Sequence, residues 1–193
     1  MSVVYGIDPG LKNCAIVKLS LWKGGFAVSD MDLIDVSRSM RPFYNYVKSK
    51  MLEEGDVYIE FQFRGGKVRD TSHHMMGYLT AMMGKKRVLL KQSRDKFALP
   101  IKLGIMPENP GELKIYKNRK SCSEAIMAHI LAKTEDGFFS KMQRAKRDDL
   151  ADALLYALWA ARDRMPSSLA MLNATESEKL KPLEDENRIH VTI

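Results

Sequence analysis

Four acidic residues stand out because of where they fall in the chain. Asp8 closes an apolar run, Val3-Val4-Tyr5-Gly6-Ile7, and Pro9-Gly10 follows at once. Glu60 interrupts Asp56 to Phe63, a stretch dense in β-branched and aromatic residues. Asp149 and Asp152 lie three residues apart, among leucines and alanines at helical spacing. Each has a plainer account. An aspartate before Pro-Gly is ordinary turn chemistry, an acid in a strand suits the solvent face of an edge strand, and acids in a first helical turn suit the helix dipole. The dipole explains Asp148 well, Asp149 acceptably and Asp152 poorly. Taken together the four form a hard-oxygen donor set. Without a cation they would repel one another and some would stay protonated. Mg²⁺ or Mn²⁺ would stabilise them, and two such ions about 3.5–4 Å apart activate water and stabilise the leaving oxygen in phosphodiester hydrolysis.

The elements that must position these acids follow from local pattern. Val3 to Asp8 reads as a buried strand, Cys14 to Leu19 as a second, and Phe26 to Val36 as a third beyond a turn at Lys23-Gly24-Gly25. Helical spacing of Phe43, Tyr46, Val47 and Leu52 predicts a helix over 39–52, ended by Gly55. Asp56 to Phe63 is a fourth strand, with Val57, Ile59, Phe61 and Phe63 on one face and Tyr58, Glu60 and Gln62 on the other. A basic loop over 64–69 leads into a helix over 71–83, with Met75, Met76, Leu79 and Met82 inward. Arg87 to Leu90 is a short fifth strand, and 98–118, with Pro100, Pro107, Pro110 and Gly111, is an irregular connection. A helix over 121–133 follows, capped by Ser121 or Ser123 and burying Ile126, Ile130 and Leu131. The last helix runs over 148–164 to a stop at Pro166, with Leu150, Leu154, Leu158 and Ala161 holding it to the core. This is an α/β chain: one domain over 1–165 and a polar tail over 166–193, in which Ile189 to Ile193 could add a short strand.

Composition narrows the partner. The chain of 193 residues carries a formal charge of +7, and residues 167–193 hold five acids against three bases, which leaves +9 on the rest. A basic body points to an anionic partner, above all nucleic acid, against the plainer account of solubilising charge. Candidate phosphate contacts are Arg64, Lys67 and Arg69, then Lys91, Arg94 and Lys96, then Lys114, Lys117 and Arg119; such runs also occur as merely solvated faces. Cys14 and Cys122 lack a C-x-x-C spacing, and His73 and His74 lack ligand partners, so neither a disulfide framework nor a zinc site is expected. No run approaches the roughly 20 apolar residues of a membrane span, and no basic leader precedes the first strand. An intracellular, cytoplasmic setting is the expectation.

The order of a strand Asp, a later strand Glu and a late helical D-x-x-D resembles the RNase H-like nucleases. Within them, Gly6-Ile7-Asp8-Pro9-Gly10 and Asp149-Leu150-Ala151-Asp152-Ala153-Leu154 are similar to RuvC-type Holliday junction resolvases. Tyr58-Ile59-Glu60-Phe61-Gln62 fits the second acidic motif, and Lys120-Ser121 running into a helix fits the lysine that precedes it. The compact length is similar to that of poxvirus, phage and mitochondrial resolvases. The resemblance spans about 3–162 and implies an RNase H-like fold with a central five-stranded mixed sheet flanked by helices. It also implies metal ligation by Asp8, Glu60, Asp149 and Asp152, with Lys120 assisting near the scissile phosphate and Lys117 as the alternative. The implied activity is that of a homodimeric, Mg²⁺- or Mn²⁺-dependent endonuclease acting on four-way DNA junctions, leaving 5′-phosphate and 3′-hydroxyl ends. The same acids would serve an RNA–DNA hybrid or flap nuclease. A non-catalytic junction-binding protein would be expected to lack one of them, and a sugar-kinase-like ATPase would need far more chain.

Overall fold

A computed structural model of the chain describes residues 2–22, 25–51, 55–61, 66–84, 87–92, 95–97, 123–124, 126–128 and 144–161. Its centre is a five-stranded mixed sheet of β1 (Ser2–Pro9), β2 (Cys14–Trp22), β3 (Gly25–Ile34), β4 (Gly55–Glu60) and β5 (Val88–Lys91), in the order β3-β2-β1-β4-β5. β1 to β3 form the antiparallel meander expected of short Gly-containing connections, whereas β4 and β5 join parallel to β1. β1 is therefore the central strand, covered on both faces. That is why Val3 to Ile7 is apolar without alternation and buried throughout.

The period of two sorts the core into two layers. Val3, Tyr5, Ile7, Cys14, Ile16, Val57 and Ile59 pack on one face against α1 (Arg41–Lys50) and α2 (Lys67–Met83). Val4, Ala15, Val17, Leu19, Leu21 and Tyr58 pack on the other against α3 (Arg144–Ala161). By the same alternation Gly6, Asp8 and Glu60 belong to the α3 face. Of the side chains described on α3, from Arg147 to Ala161, all are buried except Arg147, Asp149, Asp152 and Trp159. A helix apolar almost all round is a core element rather than a surface one, and Ile126, Met127 and Ala128 contribute to the same cluster.

Several boundaries differ from the sequence reading, each for a local reason. Gly55 does not end α1, which closes at Met51; it opens β4, where a Cβ would meet the Val3 carbonyl at 2.6 Å. β4 stops at Glu60, so this acid ends a strand instead of sitting within one, and the Phe61 amide adds one last bond to the Lys91 carbonyl at 2.7 Å. α2 begins at Lys67, absorbing half of the expected basic loop, and His73 and His74 lie well inside it, away from its caps. Met82 is 52% exposed, because the buried stripe runs through Ser72, Met75 and Leu79 and continues to Met83. A 3₁₀ turn over Asp95–Phe97 follows β5. Ser123 is already helical and buried, and α3 starts at Arg144, four residues early. Leu52, Phe63, Ile130, Leu131 and everything from residue 162 onward lie outside the described residues.

The tightest packing is between β1 and α3. A Cβ at Gly6 would overlap the Ala153 carbonyl and come within 2.5 Å of the Ala157 nitrogen. Backbone meets backbone there, so a side chain could be accommodated only by moving the helix off the sheet. Gly6→Ala is expected to cost about 3 kcal/mol, at the upper end of ordinary overpacking. The check is the urea midpoint of the variant, with Gly77→Ala, where a Cβ would meet nothing within 4 Å, as a control on the glycine effect itself.

Candidate active site

The α3 face of β1 and β4 ends in carboxylates. Parallel pairing brings Ile7 beside Ile59, and one residue further on come Asp8, the last residue of β1 but one, and Glu60, the last of β4. Glu60 is only 8% exposed, whereas Asp8 is intermediate, at the turn closed by the Gly10 amide on the Asp8 carbonyl at 3.0 Å. Asp149 and Asp152 project from α3 at its only partly open positions besides Arg147 and Trp159 among the side chains described. Because α3 begins at Arg144, neither acid lies in its first turn, and the helix dipole does not account for them. Nor does it account for Asp148, which is buried instead.

The four acids stand in one another's field. Burial pushes the Asp8 carboxyl well above the usual carboxylate range, and the negative charges of Glu60, Asp152 and Asp149 push it further. Only Lys96 acts in the opposite direction among the named influences on it. Lys96 sits in the 3₁₀ turn after β5, its side chain 7% exposed, with Nζ ion-paired to Asp152 Oδ2. Asp152 Oδ1 is buried without a hydrogen bond among the described residues.

Tyr156 lies one turn beyond Asp152 on α3 and is fully buried. Burial first, then the charges of Glu60, Asp152 and Asp8, raise its hydroxyl far above the ordinary phenol range, so it stays protonated. Its interaction with Glu60 has hydrogen-bonding character but falls short of hydrogen-bond geometry. Lys91, paired in register with Glu60, holds its ammonium 5.5 Å from the Tyr58 ring and 5.6 Å from the Trp159 ring, tying β5 to both neighbours.

The structure thus brings together Asp8, Glu60, Asp149 and Asp152. It also brings in Lys96, a candidate phosphate contact by sequence, and Tyr156, which the sequence alone does not single out. The four-residue step from Asp152 to Tyr156, one helical turn, was the available signal. Of the other candidate phosphate contacts, Lys67 and Arg69 are exposed on the first turn of α2, with Arg69 paired to Asp70 at 3.2 Å, and Lys91 is turned onto the two rings. Arg64, Arg94, Lys114, Lys117, Arg119 and Lys120 lie outside the described residues.

Among the described residues no three acid, His or Cys side chains already enclose a point as an ion's ligands would. The donor chemistry nevertheless suits a hard divalent cation: carboxylate oxygens raised in energy by mutual repulsion, one of them buried and without a hydrogen bond. A carboxyl whose folded pKa is raised binds protons in the native state that it has lost in the unfolded one. It therefore weakens the fold as pH rises from its unfolded pKa to its folded one, with the cost fully present above. Asp8→Asn is accordingly expected to raise the melting temperature at neutral pH in chelator-treated protein, and to flatten the decline of stability above about pH 4. Thermal scans of both proteins between pH 4 and 8 provide the measurement.

No protein-family model and no curated protein sequence matches the chain. Solved structures do. The fowlpox virus resolvase, in a complex with substrate Holliday junction DNA, aligns with a TM-score of 0.59 at 13% identity, over 84% of this chain and 98% of that one. The yeast mitochondrial Holliday junction resolvase aligns at 0.56 and 16% identity, over 81% of this chain and 77% of its own. Thermus thermophilus RuvC aligns at 0.52 and 16%, over 83% and 96%. The chain shares the RuvC-type, RNase H-like fold of these proteins.

Proposed function

We propose that this protein is a structure-selective DNA endonuclease that resolves four-way junctions by divalent-metal-dependent phosphodiester hydrolysis. The observation that carries the reading is the meeting of Asp8, Glu60, Asp149 and Asp152 at one end of β1 and β4 under α3, close enough that each of the other three acids raises the Asp8 carboxyl. Fold alone does not make a nuclease. A costly cluster of acids on a fold shared with junction resolvases is what favours this chemistry over a binding role.

Asp8, Glu60, Asp149 and Asp152 would hold a pair of Mg²⁺ or Mn²⁺ ions, which when bound supplies an activated water and charge stabilisation at the leaving oxygen. The protein's own residues do the rest. The strand ends hold two carboxylates in place, α3 holds the other two, and Tyr156 offers a permanent donor beside Glu60. Lys67 and Arg69 present positive charge to a DNA backbone from the start of α2. Arg64, Arg94, Lys114, Lys117 and Arg119 belong to the same proposed DNA-contacting set, with Lys120 or Lys117 near the scissile phosphate. The catalytic unit is residues 1–165, working inside the cell as a homodimer, whose two-fold symmetry suits a two-fold branched substrate. No helix among the described residues is long and apolar enough to cross a membrane.

The test is cleavage of a labelled four-way DNA junction in Mg²⁺ or Mn²⁺, beside a linear duplex, a flap and an RNA–DNA hybrid. Paired nicks in the junction alone are expected, with the rate lowered about a hundredfold or more in Asp8→Asn and Asp152→Asn, the scale of losing a transition-state charge contact. Cutting of the hybrid or flap alone would retain the site and replace the substrate. Junction binding without cutting in either metal would make this a binding protein.

A further inference from the structure

Lys96 is placed unusually for a lysine in a basic segment. It is 6% exposed, and its ammonium lies 5.3 Å from the Phe97 ring centre and 5.8 Å from that of Tyr156. It contacts Asp152 through Oδ2 in an ion pair whose side chains are 7% and 17% exposed. Ordering and desolvating a lysine head costs several kcal/mol, which only a close counter-charge repays. Asp152 supplies that charge, and the two rings add a weaker attraction.

The consequence concerns metal binding. A divalent ion ligated by Asp152 must either take the oxygen that Lys96 occupies or settle next to a fixed positive charge in a poorly solvated site. Both weaken binding, since like charges at contact distance repel strongly where water is excluded. We propose that Lys96 is an internal counter-cation: it neutralises Asp152 when no divalent ion is bound, opposes an incoming ion at that carboxylate whichever oxygen the ion takes, and so sets the affinity of the site for metal. The inference rests on the reading of the four acids as a metal site. It assigns Lys96 a part in metal loading, in place of a phosphate contact on a solvated face.

The experiment is titration of the full-length protein with Mn²⁺ in the absence of DNA, by calorimetry or by the loss of the free-ion electron paramagnetic resonance signal. Wild type, Lys96→Met, Lys96→Arg and Asp8→Asn are compared. Methionine keeps an unbranched stem over the two rings and removes the charge. Lys96→Met is expected to bind Mn²⁺ about tenfold more tightly or better, the factor carried by 1.4 kcal/mol, and Lys96→Arg to stay close to wild type. Without metal, Lys96→Met should melt below wild type, and saturating Mn²⁺ should raise its melting temperature by more than it raises that of wild type. If Lys96→Met fails to fold, Lys96→Gln serves, since its amide can still donate to Asp152 without carrying charge. Equal or weaker Mn²⁺ binding in the uncharged variant, with binding still abolished by Asp8→Asn, overturns the role of Lys96 and leaves the metal site standing. Absence of Mn²⁺ binding in both wild type and Lys96→Met overturns the metal reading and this inference together.

Discussion

The contact between β1 and α3 at Gly6 is the constraint on which the site depends. With no Cβ at that position, the helix backbone at Ala153 and Ala157 rests directly on the central strand. Asp8 lies two residues beyond Gly6 on the same face, and Asp152 directly precedes Ala153. The distance between the strand acid and the helical acids is therefore set by main-chain packing, with no long side chain in between to vary it. Alanines at 151, 153, 157, 160 and 161 extend the principle along α3, all of them buried. Small residues let the helix lie close, and close approach is what puts four carboxylates in one field.

That closeness has an electrostatic cost which the surroundings only partly offset. Asp8 bears most of it, through burial and through three neighbouring acids. Lys96 offsets part by its ion pair with Asp152. Tyr156 stands close by as a phenol that its setting keeps protonated, its hydroxyl making no hydrogen bond among the described residues. Lys91 lies over two aromatic rings and serves as a brace between β5, β4 and α3. A second charge cluster illustrates the contrast. Lys50 bridges Asp30 at 3.2 Å and Asp32 at 2.5 Å, and Tyr46 donates to Asp30 at 3.2 Å. There the acids are matched by a lysine and a phenol at the half-exposed margin of the sheet, and the arrangement is explained by structure alone. Around Asp8, by contrast, three further acids act on one buried carboxyl and push it up, and this mutual repulsion separates a site from a brace.

Much of the fold was legible because strands and helices bury residues with a fixed period. The five strands, the meander, the face shared by Tyr58 and Glu60, and the inward residues Leu150, Leu154, Leu158 and Ala161 all follow from that period and are as expected. Where the reading erred, a long-range contact had overridden local pattern. Gly55 looked like a helix stop, yet its smallness serves the approach of Val3. Met82 has the spacing of a core residue but lies beside the stripe that the sheet covers. Lys96 sits in a run of cations that no local rule separates from a solvated face, and only the position of Asp152 makes it a buried partner.

By itself the sequence determined the identity of the four acids, the elements that carry them, and, through the order of those acids, the chemistry worth testing. Side-chain type and short-range spacing are properties of the chain, so they can be read without a fold. The tertiary structure decided which groups stand in one another's field: that Glu60 ends its strand beside Asp8, that α3 lies close enough over Gly6 to add Asp149 and Asp152, and that Lys96 and Tyr156 join them. Electrostatic coupling depends on separation in space and on the exclusion of water. Neither exists until residues far apart in the chain, such as Asp8, Glu60 and Asp152, have packed together.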